Sequence, residues 1–174
     1  LRAQISNALH GASLVEQVEN RAFLIQTAAE VSRVASSILD PGKLIRQVVE
    51  LIRERFDLYY AGLFLVDQTD VLADLVQWAY LQAGTGEAGR KMRRRKHKLQ
   101  VGGNSMIGQC IATGKSRIAL DVGKEAVRFS NPLLPDTHSE LALPLISRGE
   151  AIGALTIQSD REAAFTEEDI AIFE

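Results

Sequence analysis

A single cysteine, Cys110, occurs in the 174 residues. An intrachain disulfide and a cysteine-built metal cluster are therefore excluded. Proline is scarce, with four residues, and the first is Pro41. Long apolar runs are missing, and no window approaches the roughly 18 consecutive apolar residues of a membrane-spanning helix. The opening LRAQISNALHG lacks the basic start and apolar stretch of a signal peptide. Neither sign of charge dominates: 20 basic residues face 22 acidic ones, for a net charge of −2. A chain basic overall and built for nucleic acid is not indicated. What is present is ordinary for a folded protein. Hydrophobic residues make up 46% and charged residues 24%, enough apolar surface to offset the entropy of ordering. The length suits one domain with an appended helix. The chain starts without Met and stops in a helical pattern, as expected of a fragment of a longer, cytoplasmic protein.

Residues 1 to about 39 read as one long helix, with Gly11 as its only glycine. Val15, Val18, Ala22, Ile25, Ala29 and Ser32 recur at steps of three and four, the spacing of a coiled-coil seam. Leu24, Ala28, Val31, Ala35 and Ile38 form a second, rotated stripe. Two stripes fit a helix that covers its own domain and meets a partner helix; one broad core-facing stripe is the alternative. Asp40-Pro41 then starts a helix running to about Arg55, with Leu44, Ile45, Val48, Val49, Ile52 and Phe56 on its buried face.

Beyond Asp57 the period changes. Strands are expected at Tyr59 to Asp67, Leu75 to Ala83, His97 to Val101 and Arg117 to Asp121. GTGEAG between the second and third reads as turn glycine. Asn104 or Ser105 caps a short helix ending near Gly114. Residues 122 to 138 read as irregular, with a helical turn near Glu125–Phe129. SELALPLIS and EAIGALTIQS, joined by Arg148-Gly149, form a hairpin. Thr166, followed by three acidic residues, opens a last helix. Short links favour antiparallel pairing. The expected fold class is α+β: a central antiparallel sheet of about six strands, terminal helices on one face, and a short helix with a loop-rich lid on the other. A loose lid over a sheet is where a small-molecule pocket forms.

GLFLVD, VGGNSMIGQCIATGKSRIALDV and SELALPLISRGEAIGALTIQS followed by AAFTEEDIAIFE together resemble the GAF domain, a ligand-sensing and dimerising module of signalling proteins. The resemblance covers residues 27–174, leaving 1–26 as a linker helix. It implies a host such as a bacterial histidine kinase of a two-component system, a diguanylate cyclase or a transcription activator. The departures are informative. The Asn-Lys, Phe, Asp-Glu motif of cyclic-nucleotide-binding relatives is missing, because Gly114 precedes Lys115 and Ser130-Asn131 follows Phe129. The lid has no cysteine for a bilin. Reductases of this fold need more than one cysteine, and only Cys110 exists.

On that reading the pocket is lined by Met106, Ile107, Cys110, Asp121, Arg128, Phe129, His138, Leu141 and Leu143. Arg128 would pair with a ligand anion and Phe129 would stack on a flat ring. His138 has three readings: haem ligand, hydrogen-bonding group for another ligand, or turn residue. Cys110, in an apolar helix, reads as a small packed hydrophobe. No metal-ligand spacing and no nucleophile with its base is evident, so the module is expected to be non-catalytic, and no cofactor is assigned. Arg90 to Lys98 packs seven basic residues into nine. It is either an electrostatic patch or, as favoured here, a solvated loop and edge strand. The expected partners are an unidentified small molecule, a second copy through the N-terminal helix, and an output domain of the parent chain; nucleic acid is not among them.

Overall fold

The computed structural model describes residues 19, 21–23, 25–33, 40–67, 76–119 and 131–166. Two compact units divide between Leu39 and Asp40, beyond the 26/27 division expected above. Chemistry accounts for the position. Asp40 adopts an extended backbone, and its carboxylate accepts the free N–H groups of Gly42 and Lys43 at 2.9 and 3.1 Å. Pro41 occupies the first helical position, where its missing N–H costs nothing.

In the first unit the described residues are helical. Ala22, Ile25 and Ala29 of the expected seam are exposed, Ile25 by 64%. Val15 and Val18 lie outside the described residues, as do Leu24, Ala35 and Ile38 of the second stripe.

The second unit opens with α1, Pro41–Arg55, which buries Val49 and Ile52. Six strands follow: β1 Tyr60–Val66, β2 Trp78–Gly84, β3 Lys98–Gln100, β4 Arg117–Ala119, β5 Ser139–Ser147 and β6 Glu150–Ser159. They form one sheet in the order β3-β2-β1-β6-β5-β4, and every pairing is antiparallel. The β5–β6 hairpin turns through Arg148 and Gly149, both at positive φ. That geometry matches the twist of the strands it joins.

Alternation sends β-strand residues to two faces. On the back face Leu63, Leu141, Leu143, Leu155 and Ile157 meet Val49 and Ile52 of α1. On the front face Tyr60, Phe64, Ala142 and Ala154 lie beneath two more helices, α2 Gly86–Arg94 and α3 Met106–Thr113. A bulge in β2 sets Leu81 to the front and Ala83 to the back, leaving Gln82 as the extra residue.

Helix α2 corrects the sequence reading of GTGEAG as a turn. Its glycines serve close approach. A Cβ on Gly89 would stand 2.0 Å from the Gly84 backbone, and one on Gly84 would stand 2.4 Å from the Tyr60 hydroxyl oxygen. Backbone therefore packs on backbone, and Met92, 2% exposed, anchors the next turn. The basic run correspondingly lies on α2, its C-terminal turn and β3, rather than on a loop.

Candidate functional site

The front positions of β1, β6 and β5 are Tyr60, Gly62 and Phe64; Ala154, Thr156 and Gln158; and Glu140 and Ala142. The expected alternation buries apolar side chains here, yet three of these eight positions, Thr156, Gln158 and Glu140, are polar. They are joined by hydrogen bonds. The Thr156 hydroxyl donates to Glu140 Oε1 at 2.8 Å, and Gln158 Nε2 donates to Thr156 Oγ1 at 3.4 Å. The Thr137 hydroxyl lies 2.7 Å from Gln158 Oε1 and 3.2 Å from the Leu134 carbonyl. One polar chain thus runs from the cover at Leu134 down to a carboxylate on the sheet.

Burial pushes the Glu140 carboxyl above the usual carboxylate range, while hydrogen bonds from Thr156 and Gln158 pull it partly back. Tyr60 is 2% exposed and its hydroxyl has no hydrogen-bond partner. Burial first, and the Glu140 charge second, push its ionisation upward, so it remains a neutral donor. An orphan donor and a partly buried carboxyl on one face are the features that call for an explanation.

The cover over this face is positioned by its own caps. Ser105 accepts the Gly108 N–H at 2.9 Å to start α3, and Gly114 ends it in the left-handed conformation. Between these caps α3 buries Met106, Ile107, Cys110 and Ile111. Residues 131–134 are pinned to α2 by a 2.9 Å contact from Asn131 Nδ2 to Met92 Sδ.

Of the sequence-derived site residues, Met106, Ile107 and Cys110 share the front core. Leu141 and Leu143 do not. They occupy odd positions of β5, which the pleat turns to the back face against α1, and this corrects their assignment to the pocket. His138 is exposed at the foot of the hairpin, where its backbone N–H donates to Ser159 O at 2.8 Å. Asp121, Arg128 and Phe129 lie outside the described residues. The Cys110 thiol is fully buried, and burial pushes it up to about 12, against a smaller opposing pull from Arg117. A thiol so suppressed is a poor nucleophile. Among the described residues no three His, Cys, Asp or Glu side chains gather as a metal site.

Residues 39–174 match the family model of the GAF domain. The chain belongs to the GAF domain family. The fold recurs in solved structures. The GAF domain of a phosphoenolpyruvate-protein phosphotransferase from Coxiella burnetii is 22% identical, with 88% of each chain covered and a TM-score of 0.74. A free methionine-R-sulfoxide reductase from Neisseria meningitidis is 20% identical over 88% of this chain and 83% of that one, at 0.72. A putative GAF sensor protein from Burkholderia vietnamiensis is 18% identical over 87% of each, at 0.71. No curated protein matches the sequence. These likenesses establish the GAF fold, which a putative sensor protein and a reductase share.

Sequence reasoning missed Tyr60, Glu140, Thr156 and Gln158. A signal was present: in EAIGALTIQS the frame holding Leu155 and Ile157 is apolar, and the opposite frame, Ala154, Thr156, Gln158, turns polar.

Proposed function

We propose that this GAF domain is a non-catalytic, cytoplasmic sensor module of a larger bacterial signalling protein such as a two-component histidine kinase. It binds a small molecule between the front of the sheet and its cover, and relays occupancy through dimerising terminal helices to an output domain. The observation that carries the reading is the partly buried Glu140 carboxyl, held by Thr156 and Gln158 on the face that also buries the unpartnered Tyr60 hydroxyl. Keeping a carboxylate dehydrated destabilises the fold unless a partner repays it. Asp121, Arg128, Phe129 and His138 remain proposed contacts from the cover.

The polar chain supplies a route for relay. A ligand that re-pairs Glu140 disturbs Thr156, then Gln158, then Thr137 and the cover. Ser139, beside Glu140, donates to Arg161 O at 2.7 Å on the segment leaving the sheet. A ligand shifts the helices only by its different affinity for two such arrangements.

The non-catalytic reading is supported by the buried Cys110 thiol and by the lack of a second cysteine. Among the described residues no helix is long and apolar enough to cross a membrane. The test is a thermal-shift screen of the purified protein against metabolites, with native mass spectrometry of the protein as isolated. A ligand that raises the melting temperature of wild type and not of Glu140→Gln supports the reading; no ligand by either method defeats it. A second reading, a ligand-free dimerisation and relay spacer, is favoured by the exposed Ile25 on the proposed seam. Persistence of the dimer in Val18→Glu and Ile25→Glu would remove the seam from both readings.

A further inference from the structure

A groove of about 790 Å³ opens away from the polar stripe, at the end of the sheet where β1 leaves and α2 stops. Its apolar lining includes Val66, Leu81 and Ile152, and its polar lining sets the two cations Arg93 and Lys96 against one carboxylate, Asp67, with Gln82 beside them. Among the described residues neither cation is engaged in an ion pair, whereas the neighbouring Lys91 holds Glu87 at 2.7 Å. Lys96 sits at φ +51, in the left-handed region that favours glycine. The two charges stand on a rigid base, because Met92 is buried and Gly89 rests on the Gly84 backbone.

Charge selects the class of occupant. The run Arg90–Lys98 carries seven of the 20 basic residues, and the rest of the chain sets 13 basic against 22 acidic. An anionic partner is therefore drawn to this one region and repelled elsewhere. The nearest aromatic rings argue against nucleic acid. Single strands bind by stacking bases on open rings, but the Lys98 ammonium already lies over Trp78 and Tyr80, 4.1 and 5.7 Å from their centroids. An aliphatic lining beside two cations that outnumber the single carboxylate of Asp67 instead fits a peptide that alternates carboxylates with apolar side chains.

We propose that the groove between the α2 C-terminus and the β1–β2 end is a docking site for an acidic, leucine- or isoleucine-bearing peptide segment of a partner protein. Its carboxylates meet Arg93 and Lys96, and its apolar side chains enter over Val66, Leu81 and Ile152. The site is separate from the sensor pocket and does not depend on it.

The test is fluorescence anisotropy on the full 174-residue chain, using a labelled short peptide of glutamates and leucines. A matched peptide with serine for leucine and an oligothymidylate serve as competitors. Wild type should bind the leucine peptide in preference to both, with affinity that falls as salt rises. Arg93→Glu combined with Lys96→Glu should weaken it about tenfold or more. Arg90→Glu combined with Arg94→Glu, on the same helix but off the groove, should change it by no more than about twofold. Ile152→Ser should weaken the leucine peptide and spare the serine peptide. The proposal is overturned if no peptide binds, if both charge-reversed variants lose equally, if the serine peptide binds as well, or if oligothymidylate binds more tightly.

Discussion

Leu155 and Ile157 on one side of β6, and Thr156 and Gln158 on the other, come from four consecutive positions and meet opposite environments. The back face receives one regular helix, α1, whose apolar stripe closes over leucine and isoleucine, and its buried hydroxyls, Ser139 and Ser159, are confined to the strand ends and paired with the Arg161 backbone. The front face receives two short helices and an irregular segment, and there the sheet keeps a carboxylate, an amide and two hydroxyls. A face built only to hold the domain together would repeat the back. The two faces thus differ in chemistry: leucine and isoleucine pack against one helix behind β6, while in front a hydrogen-bonded polar chain runs beside a second apolar cluster.

That contrast can be broken most severely from behind. Ile157→Ala removes a fully buried side chain from the close-packed face, with an expected loss of about 2–5 kcal/mol by urea denaturation. A loss as large from Thr156→Ala on the front would erase the distinction between the faces. Next in size is Gly84→Ala, whose added methyl meets the Tyr60 hydroxyl. Its expected cost is about 1–3 kcal/mol, and Tyr60→Phe in the same chain should recover part of it, because the colliding oxygen is then gone. Full cost in the double variant would place the clash with the backbone of Gly89 instead.

Glu140→Gln should sharpen the comparison with a smaller effect. The amide avoids the desolvation of a charge, so the stability at neutral pH should be unchanged or raised, by up to about 1 kcal/mol. The sign in pH follows from the raised ionisation of the folded carboxyl. The folded state prefers the protonated form, so this group's stabilisation is complete below its unfolded value and is lost as pH rises through the folded one. Melting temperatures of wild type and variant across that window should diverge toward high pH, with wild type falling. The smallest effect is expected at His97, whose half-buried ring lies edge-on to Phe64 at 6.0 Å between the cations of the basic run. Burial pushes its ionisation below the usual 6.5. Its contribution is present above 6.5 and is lost as pH falls through the lowered folded value. His97→Gln should flatten that acid limb by less than about 1 kcal/mol; an unchanged limb would assign it to other groups.

Local chemistry was enough for the regular parts. The Asp40-Pro41 start of α1, the Ser105 and Gly114 caps of α3 and the Arg148-Gly149 hairpin each rest on neighbours in sequence, and each stands where the residues announce it. The α+β class followed from the same short links. The site was less legible. Met106, Ile107 and Cys110 could be grouped because they are buried together on one short helix. Leu141 and Leu143 were placed on the wrong side of the sheet, since alternation says which residues share a face but not which face meets which helix. Glu140 was passed over because its importance depends on Thr156 and Gln158 from another strand and on burial by the cover.

The 174 residues by themselves determined where α1 and α3 start and where α3 stops, which strand positions share a face, and that one thiol stands alone. These follow from backbone capping, the two-residue pleat and counting. Only the tertiary structure decided that glycines 84 and 89 bring backbones together, that GTGEAG is largely helix, and that the polar half of β6 lies under α2 and α3. Those outcomes depend on contacts between residues far apart in the chain, and such contacts have no energy until the elements pack.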